Sequence, residues 1–153
     1  MFDTLSNEQI DGVIESNLVG HLGCHSDGRT YVVPISYAYD GKYLYARSQE
    51  GLKLDMMRKN PQVCFQIDQM DNMADWKSVI IWGTFEELEG ELRNKALNML
   101  IARKLPGLAS NTVKFSPDWP FAATDLKDID GIVYRIFIQE KTGRMEIPDP
   151  QLF

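Results

Sequence analysis

Histidine and cysteine are scarce in this chain, two of each among 153 residues, and their spacing excludes most metal chemistry. His21, His25, Cys24 and Cys64 form no CxxC or HExxH pattern, so no metal site is expected. Cys24 and Cys64 each sit in an apolar alternating stretch, which reads as small buried hydrophobes in a reducing, cytoplasmic setting. Positive charge is also short: 16 Lys and Arg against 22 Asp and Glu give a net charge of −6. A nucleic-acid binder needs the opposite balance. No apolar run approaches the length that spans a bilayer. MFDTLSNEQIDG has no basic start followed by an apolar core, so no secretion signal is expected. No Ser-His-Asp arrangement or carboxylate pair is spaced for acid–base or nucleophilic work, so no catalytic residue is assigned. An enzyme with this inventory leaves its chemistry to a cofactor.

What is present is enough for one globular domain over residues 1–153, with 44% hydrophobic and 25% charged content. Ser6 with Gln9 three residues on forms a capping box, predicting a helix from Asn7 to about Ser16 with Ile10, Val13 and Ile14 inward. Leu18–Cys24 alternates, with Leu18, Gly20, Leu22 and Cys24 on one face and Val19, His21 and Gly23 on the other. Asp27-Gly28 and Asp40-Gly41 are hairpin signals. They join that strand to Arg29–Tyr39 and then to Lys42–Ala46 in an antiparallel meander. A short helix follows to Lys59 and stops at Asn60-Pro61.

Val63–Ile67 is the next strand, Asp68–Asp75 a polar loop, and Trp76–Leu88 a long strand. The centre of that strand, SVIIWG, is apolar on both faces, as in a strand covered on both sides. A third helix runs from Gly90 to about Arg103. Residues 108–130 are a long loop with the character of a functional or surface-covering segment. Ile132–Gln139 is a last strand, and Thr142-Gly143 turns the chain into a short tail. Six or seven antiparallel strands with three peripheral helices make the fold mostly β, a sheet that removes its edges by curling into a barrel.

The segment from Arg29 to Pro61 holds the candidate site. Pro34 removes a ladder donor in mid-strand and belongs on an edge or at a bulge. Such an edge either aims the backbone of Val32, Val33, Ile35 and Ser36 at a planar ring or merely guards against aggregation. Lys53 stands near a helix start, with Ser48 as a candidate N-cap and Arg47 at the strand end. These residues either hold a phosphate, with free helix N–H groups, or form an ordinary solvated helix start. Ser78 either donates to a ring carbonyl or only opens its strand.

Taken together, the Gly20-His21-Leu22 strand, YVVPISYAYDGKYLYARS, GLKLDMMRKNPQVCFQ and SVIIWGTFEEL resemble the pyridoxamine 5′-phosphate oxidase-like family of FMN-binding split barrels. The likeness covers roughly residues 17–90 and is nearest to the small branch that includes nitroimidazole-resistance proteins. It implies a six-stranded antiparallel split barrel, a homodimer, and FMN in a cleft between subunits. It implies ring-side roles for Val32, Val33, Pro34, Ile35, Ser36 and Ser78, and phosphate-side roles for Ser48, Leu52 and Lys53. An FMN-dependent oxidoreductase acting on a small molecule, such as a nitro compound, is the function so implied. Vitamin B6 oxidation is not, because Leu52, Tyr31 and Ser78 stand where true pyridoxamine-phosphate oxidases carry a basic residue, an Arg and a Gln. A non-catalytic flavin or haem binder, with His21 or His25 as haem ligand, is the alternative.

Overall fold

A computed structural model describes residues 1–103 and 126–152. The long-loop expectation for 108–130 therefore falls mostly outside the described residues; of its end, Leu126–Asp128 forms one 3-10 turn. The elements in chain order are β1 (Phe2–Thr4), α1 (Asn7–Ser16), β2 (Val19–Ser26), β3 (Arg29–Ser36), β4 (Ala38–Tyr39) and β5 (Tyr43–Ser48). Then come α2 (Leu52–Lys59), β6 (Gln62–Asn72), β7 (Asp75–Glu87), α3 (Gly90–Ile101) and β8 (Ile132–Glu146). All eight strands belong to one antiparallel sheet of order β3-β2-β6-β7-β8-β5-β4, with β1 added to the end of β8. The sheet curls but does not close through hydrogen bonds: β3 pairs only with β2, and β4 only with β5. It is an open, split barrel.

Local chemistry explains most boundaries. Ser6 Oγ accepts from the Gln9 amide at 3.2 Å while Gln9 Oε1 accepts from the Ser6 amide at 2.9 Å, completing the capping box of α1. Asp27 and Gly28 take φ of 53° and 75°, the two left-handed positions of a tight hairpin, and β2 pairs with β3 from Ser26↔Arg29 to Val19↔Ser36.

Several sequence expectations change. Arg29–Tyr39 is not one strand of a meander: it breaks at Tyr37, so β3 pairs with β2 while β4 pairs with β5, and β5 pairs on with β8 rather than β3. Asp68–Asp75 is not a loop: β6 and β7 run on to a tight connection, pairing to Asn72↔Asp75, because a ladder in solvent needs no apolar side chains. Thr142-Gly143 is not a turn: β8 continues to Glu146, with Gly143 paired to Val79. A Cβ on Gly143 would stand 2.8–2.9 Å from Leu5 and Ile10, so this glycine lets the β1–α1 segment lie on the strand. Phe2–Thr4, unpredicted, pairs with Arg144–Glu146.

The inner face carries the main core. Leu22, Cys24, Leu44, Ala46, Phe65, Ile67, Val79, Ile81 and Ile136 meet Ile10, Val13 and Ile14 of α1 and Leu54, Met56 and Met57 of α2. A second core lies on the other face of β5 and β8, where Ala96, Leu97 and Leu100 of α3 cover Tyr45 and Val133. The outer face of β3, β2, β6 and β7 is left uncovered among the described residues. Val32 is 60% exposed, Val19 53% and Trp82 40%. The SVIIWG strand is thus covered on one face only within a single chain.

Polar ties fix the helices. Lys141 donates to Asp11 Oδ1 at 2.6 Å and Tyr39 donates to the same oxygen at 2.8 Å, linking α1 to β8 and β4. Burial opposes the Asp11 charge, but the Lys141 and Tyr39 hydrogen bonds and the Lys141 charge outweigh it and hold its carboxyl below the ordinary carboxylate range. A carboxyl lowered on folding stabilises above its unfolded value, about 3.9, and loses that contribution as pH falls through its folded value. The Tm difference between wild type and Asp11→Asn, followed by circular dichroism, should therefore be present at pH 6 and shrink toward zero as pH falls below the carboxylate range.

Two glycines give opposite expectations. A Cβ on Gly83 would lie 2.2 Å from the Phe137 carbonyl oxygen, where the ladder shifts register between Trp82↔Glu140 and Gly83↔Ile138. Gly12, inside α1, has nothing within 4 Å. Urea unfolding should show Gly83→Ala destabilised by about 1–3 kcal/mol and Gly12→Ala stabilised by roughly 0.5–1 kcal/mol.

Candidate functional site

The β3 segment lies where its proline requires. β3 is an edge strand, and Pro34 stands opposite His21. The Tyr37 amide donates to the Leu18 carbonyl at 3.0 Å, continuing the β2–β3 ladder. By alternation, Val33 and Ile35 also turn their main chain toward β2, while Val32, Pro34 and Ser36 turn theirs to the free edge. Pro34 therefore interrupts no ladder bond. The free edge offers the N–H and C=O groups of Val32 and Ser36 and the Pro34 carbonyl. The Val32 and Pro34 side chains are exposed, those of Val33 and Ser36 half-buried, and Ile35 is in the core.

α2 lies along the same hairpin with its last turn at the tip, where Lys59 pairs with Asp27 at 3.1 Å and Asn60 donates to the His25 carbonyl at 2.8 Å. Leu52 shares a cavity of about 360 Å³ with Ser26, Asp27, Arg29, Asp55 and Met56. Lys53, half-buried, is near enough for its charge to act on the Cys24 thiol of β2; burial is the larger influence there and pushes that thiol up. The N-cap is Gly51, not the expected Ser48, and no side chain caps the helix, so its first-turn N–H groups lack a side-chain acceptor. Arg58 pairs with Glu50 at 2.8 Å and also donates to Glu87, tying the helix and its preceding loop to the end of β7. The open end of α2 and the start of β3, at Leu52 and Arg29, thus line one cavity.

Ser48 and Arg47 do not join them. The Ser48 hydroxyl lies inward, 3.3 Å from the Tyr134 hydroxyl. Burial pushes the Tyr134 phenol up to about 12, so it stays protonated and able to share that hydrogen bond. Arg47 projects to the α3 side of β5 and donates to the Asp130 carbonyl. Ser78 also stands apart. Its Oγ accepts from Gln66 Nε2 at 3.1 Å, and it lines a cleft of about 160 Å³ with Trp76, Ile80, Thr142 and Arg144. Two strands, β2 and β6, separate β7 from β3, which is three spacings or about 14 Å across the sheet. One chain does not bring Ser78 to the β3 edge.

Sequence reasoning missed Arg103. It follows α3, donates to Ser36 Oγ and to the Tyr37 carbonyl (3.1 Å), and also caps its own helix at Leu100 (2.8 Å). Burial lowers its pKa from the ordinary arginine value. The only sequence signal was a cation at a helix end, which reads first as a partner of the helix dipole.

The family follows from this architecture. The chain matches the pyridoxamine 5′-phosphate oxidase family over residues 6–145 and belongs to it. Among solved structures it is similar to a FAD-binding protein from Mesorhizobium loti, with 33% identity, 97% of this chain and 98% of that one covered, and a TM-score of 0.73. A 5-nitroimidazole antibiotic resistance protein from Bacteroides thetaiotaomicron shares the fold, with 20% identity, 95% and 87% covered, and a TM-score of 0.71. An uncharacterized protein of Rhizobium meliloti is 40% identical over 84 residues, 55% of this chain and 56% of that protein. The chain thus matches about half the length of that relative.

The Arg103–Ser36 contact is open to a double-mutant cycle. A hydrogen bond from a charged donor is worth about 1.5–3 kcal/mol, so Arg103→Met should destabilise by about that much in urea unfolding. Ser36→Ala should then cost less in the Arg103→Met background than in wild type.

Proposed function

We propose that this protein binds FMN against the β3 edge and the α2 N-terminus and works as a flavin-dependent oxidoreductase on a small acceptor. The observation that carries the reading is that β3, with a main-chain edge freed by Pro34, shares a cavity at its start, Arg29, with Leu52 at the uncapped start of α2, next to Lys53. The edge suits the alternating donors and acceptors of a flavin pyrimidine ring, and the helix end suits a phosphate. Membership of the family, and the FAD-binding Mesorhizobium protein at 33% identity, support a flavin rather than another planar cofactor.

The residues divide the work. Val32 and Ser36 meet the ring through their main chain, Pro34 and Val32 pack beside it, and Val33 and Ile35 hold the strand to β2. Lys53 and the first-turn N–H groups hold the phosphate, with Leu52 beside them. Ser48 acts indirectly, fixing the end of β5 through Tyr134. Bound flavin supplies hydride acceptance and release, between a reduced nicotinamide or similar donor and an acceptor such as a nitro compound. The chain contributes orientation and exclusion of water.

A second copy completes the site in this proposal. Val19, Val32 and Trp82 leave an apolar outer face open. Covering it with a two-fold mate brings the mate's Ser78 toward the β3 edge that its own chain does not reach. A cytoplasmic location fits the two free thiols, Cys24 and Cys64, and no helix among the described residues is long and apolar enough to cross a membrane.

The purified protein should carry or take up FMN, read from its visible absorbance and the extracted cofactor, and should run as a dimer in light scattering. Lys53→Ala should raise the FMN Kd about 10- to 100-fold, the equivalent of one charge-assisted hydrogen bond. Colourless protein that ignores added FMN and FAD sinks the reading; a Soret band on adding haem points to the haem alternative.

A further inference from the structure

We propose that Arg103 sets the reduction potential of the flavin: its guanidinium stands at the Ser36 end of the β3 edge and stabilises the negative charge that reduction places on the ring. This rests on the flavin reading above and deepens it, giving a role at the ring to a residue which that reading leaves out.

The position follows from the seam. β3 and β4 are the two ends of the sheet, and the chain passes from one to the other at Tyr37. α3 lies on the β4 side, against Ala38 and Tyr45. Arg103 follows that helix and donates to Ser36 Oγ and, at 3.1 Å, to the Tyr37 carbonyl. It therefore reaches across the corner of the seam to the end of β3, on the side to which the β3 edge is open.

The same edge selects the part of the ring that comes near. A flavin pyrimidine ring presents a carbonyl, an N–H and a second carbonyl in a row. Pro34 offers the edge a carbonyl and no donor, so it suits the ring N–H. The next donor along the edge is the Ser36 N–H, which then meets a ring carbonyl. That carbonyl lies within roughly 9 Å of the guanidinium, the reach of two hydrogen bonds joined through one serine.

The charge at Arg103 is available. The side chain is half-buried, and no carboxylate pairs with it among the described residues. Glu15 lines a cavity of about 390 Å³ with it, but Glu15 is exposed and forms no ion pair there. A half-buried, unneutralised cation acts over such a distance with less screening than one at the surface. Hydride transfer from a reduced nicotinamide carries two electrons and one proton. The donor leaves as its oxidised cation, and one negative charge is added to the ring system. A fixed cation beside the pyrimidine rim thus favours the reduced cofactor over the oxidised one.

The test is a reductive titration of FMN-loaded protein against a reference dye, for wild type, Arg103→Gln, Arg103→Met and Arg103→Lys. Arg103→Gln removes the charge but keeps donors for Ser36 and Tyr37, and it carries the test if Arg103→Met does not fold. Both neutral variants should lower the midpoint potential by about 30 mV or more, a loss of about tenfold in affinity for reduced FMN relative to oxidised. Arg103→Lys keeps the charge and should stay nearer to wild type than to Arg103→Gln. Neutral variants with the wild-type potential overturn the inference. An equal loss of affinity for oxidised and reduced FMN does so too, because it marks a purely structural role. So does a lysine variant that falls as far as Arg103→Gln. Each of those results leaves the flavin reading intact, whereas wild type that takes up no flavin overturns both.

Discussion

A sheet has two faces, and the three helices of this chain cover only part of them. α1 and α2 fill the inner face, and α3 lies across the outer face of β5 and β8. The outer face of β3, β2, β6 and β7 keeps Val19, Val32 and Trp82 in solvent. Burying one large apolar side chain contributes about 1.5–3 kcal/mol, so this face represents several such contributions withheld from the single chain. That unspent surface explains why SVIIWG is apolar on both sides although one side is bare.

The site depends on the same geometry. A split barrel has a seam, and the seam leaves β3 as an edge whose main chain must find partners elsewhere. Pro34 guards that edge by removing the one donor that would point outward at its position, and Val32 and Ser36 remain as hydrogen-bonding sites to either side. The hairpin at Asp27-Gly28 then decides what lies beside the strand, because α2 runs along it, sharing a cavity with Arg29 at Leu52 and pairing with Asp27 at Lys59. Arg58, bound to Glu50 and Glu87, keeps that helix from sliding. Exposed ion pairs of this kind contribute little stability; their value here is position.

Much of this was legible in the residues. Ser6 with Gln9, the two Asp-Gly turns and the Asn-Pro stop each have a local mechanism, and each marks a boundary close to the observed one. The failures were non-local. Nothing in Gln69–Asn72 announces a strand, since its pairing with β7 is made by main chain in solvent. Gly143 reads as a turn until Leu5 and Ile10 are seen on top of it. Ser48 reads as a cap until Tyr134, 86 residues on, takes its hydroxyl. Arg103 could not be linked to Ser36 by spacing at all. The phosphate half of the site was read from sequence as a cluster of side chains, whereas the structure divides it: Lys53 on the α2 side, Arg47 on the α3 side.

That division bears on what holds an anion here. With Leu52 and Tyr31 where the family resemblance leads one to expect basic residues, and with Arg47 engaged at Asp130, the cations beside the α2 N-terminus are Lys53 on the helix and Arg29, which lines the cavity that Leu52 lines. Lys59, at the other end of α2, is matched by Asp27 at 3.1 Å. Asp55 stands in the first helical turn itself. With Lys53 and Arg29 set against Asp55, the proposed phosphate site keeps only a small surplus of positive charge. On that proposal the first-turn N–H groups and main-chain hydrogen bonds along the β3 edge carry much of a flavin's binding, and charge carries the smaller part.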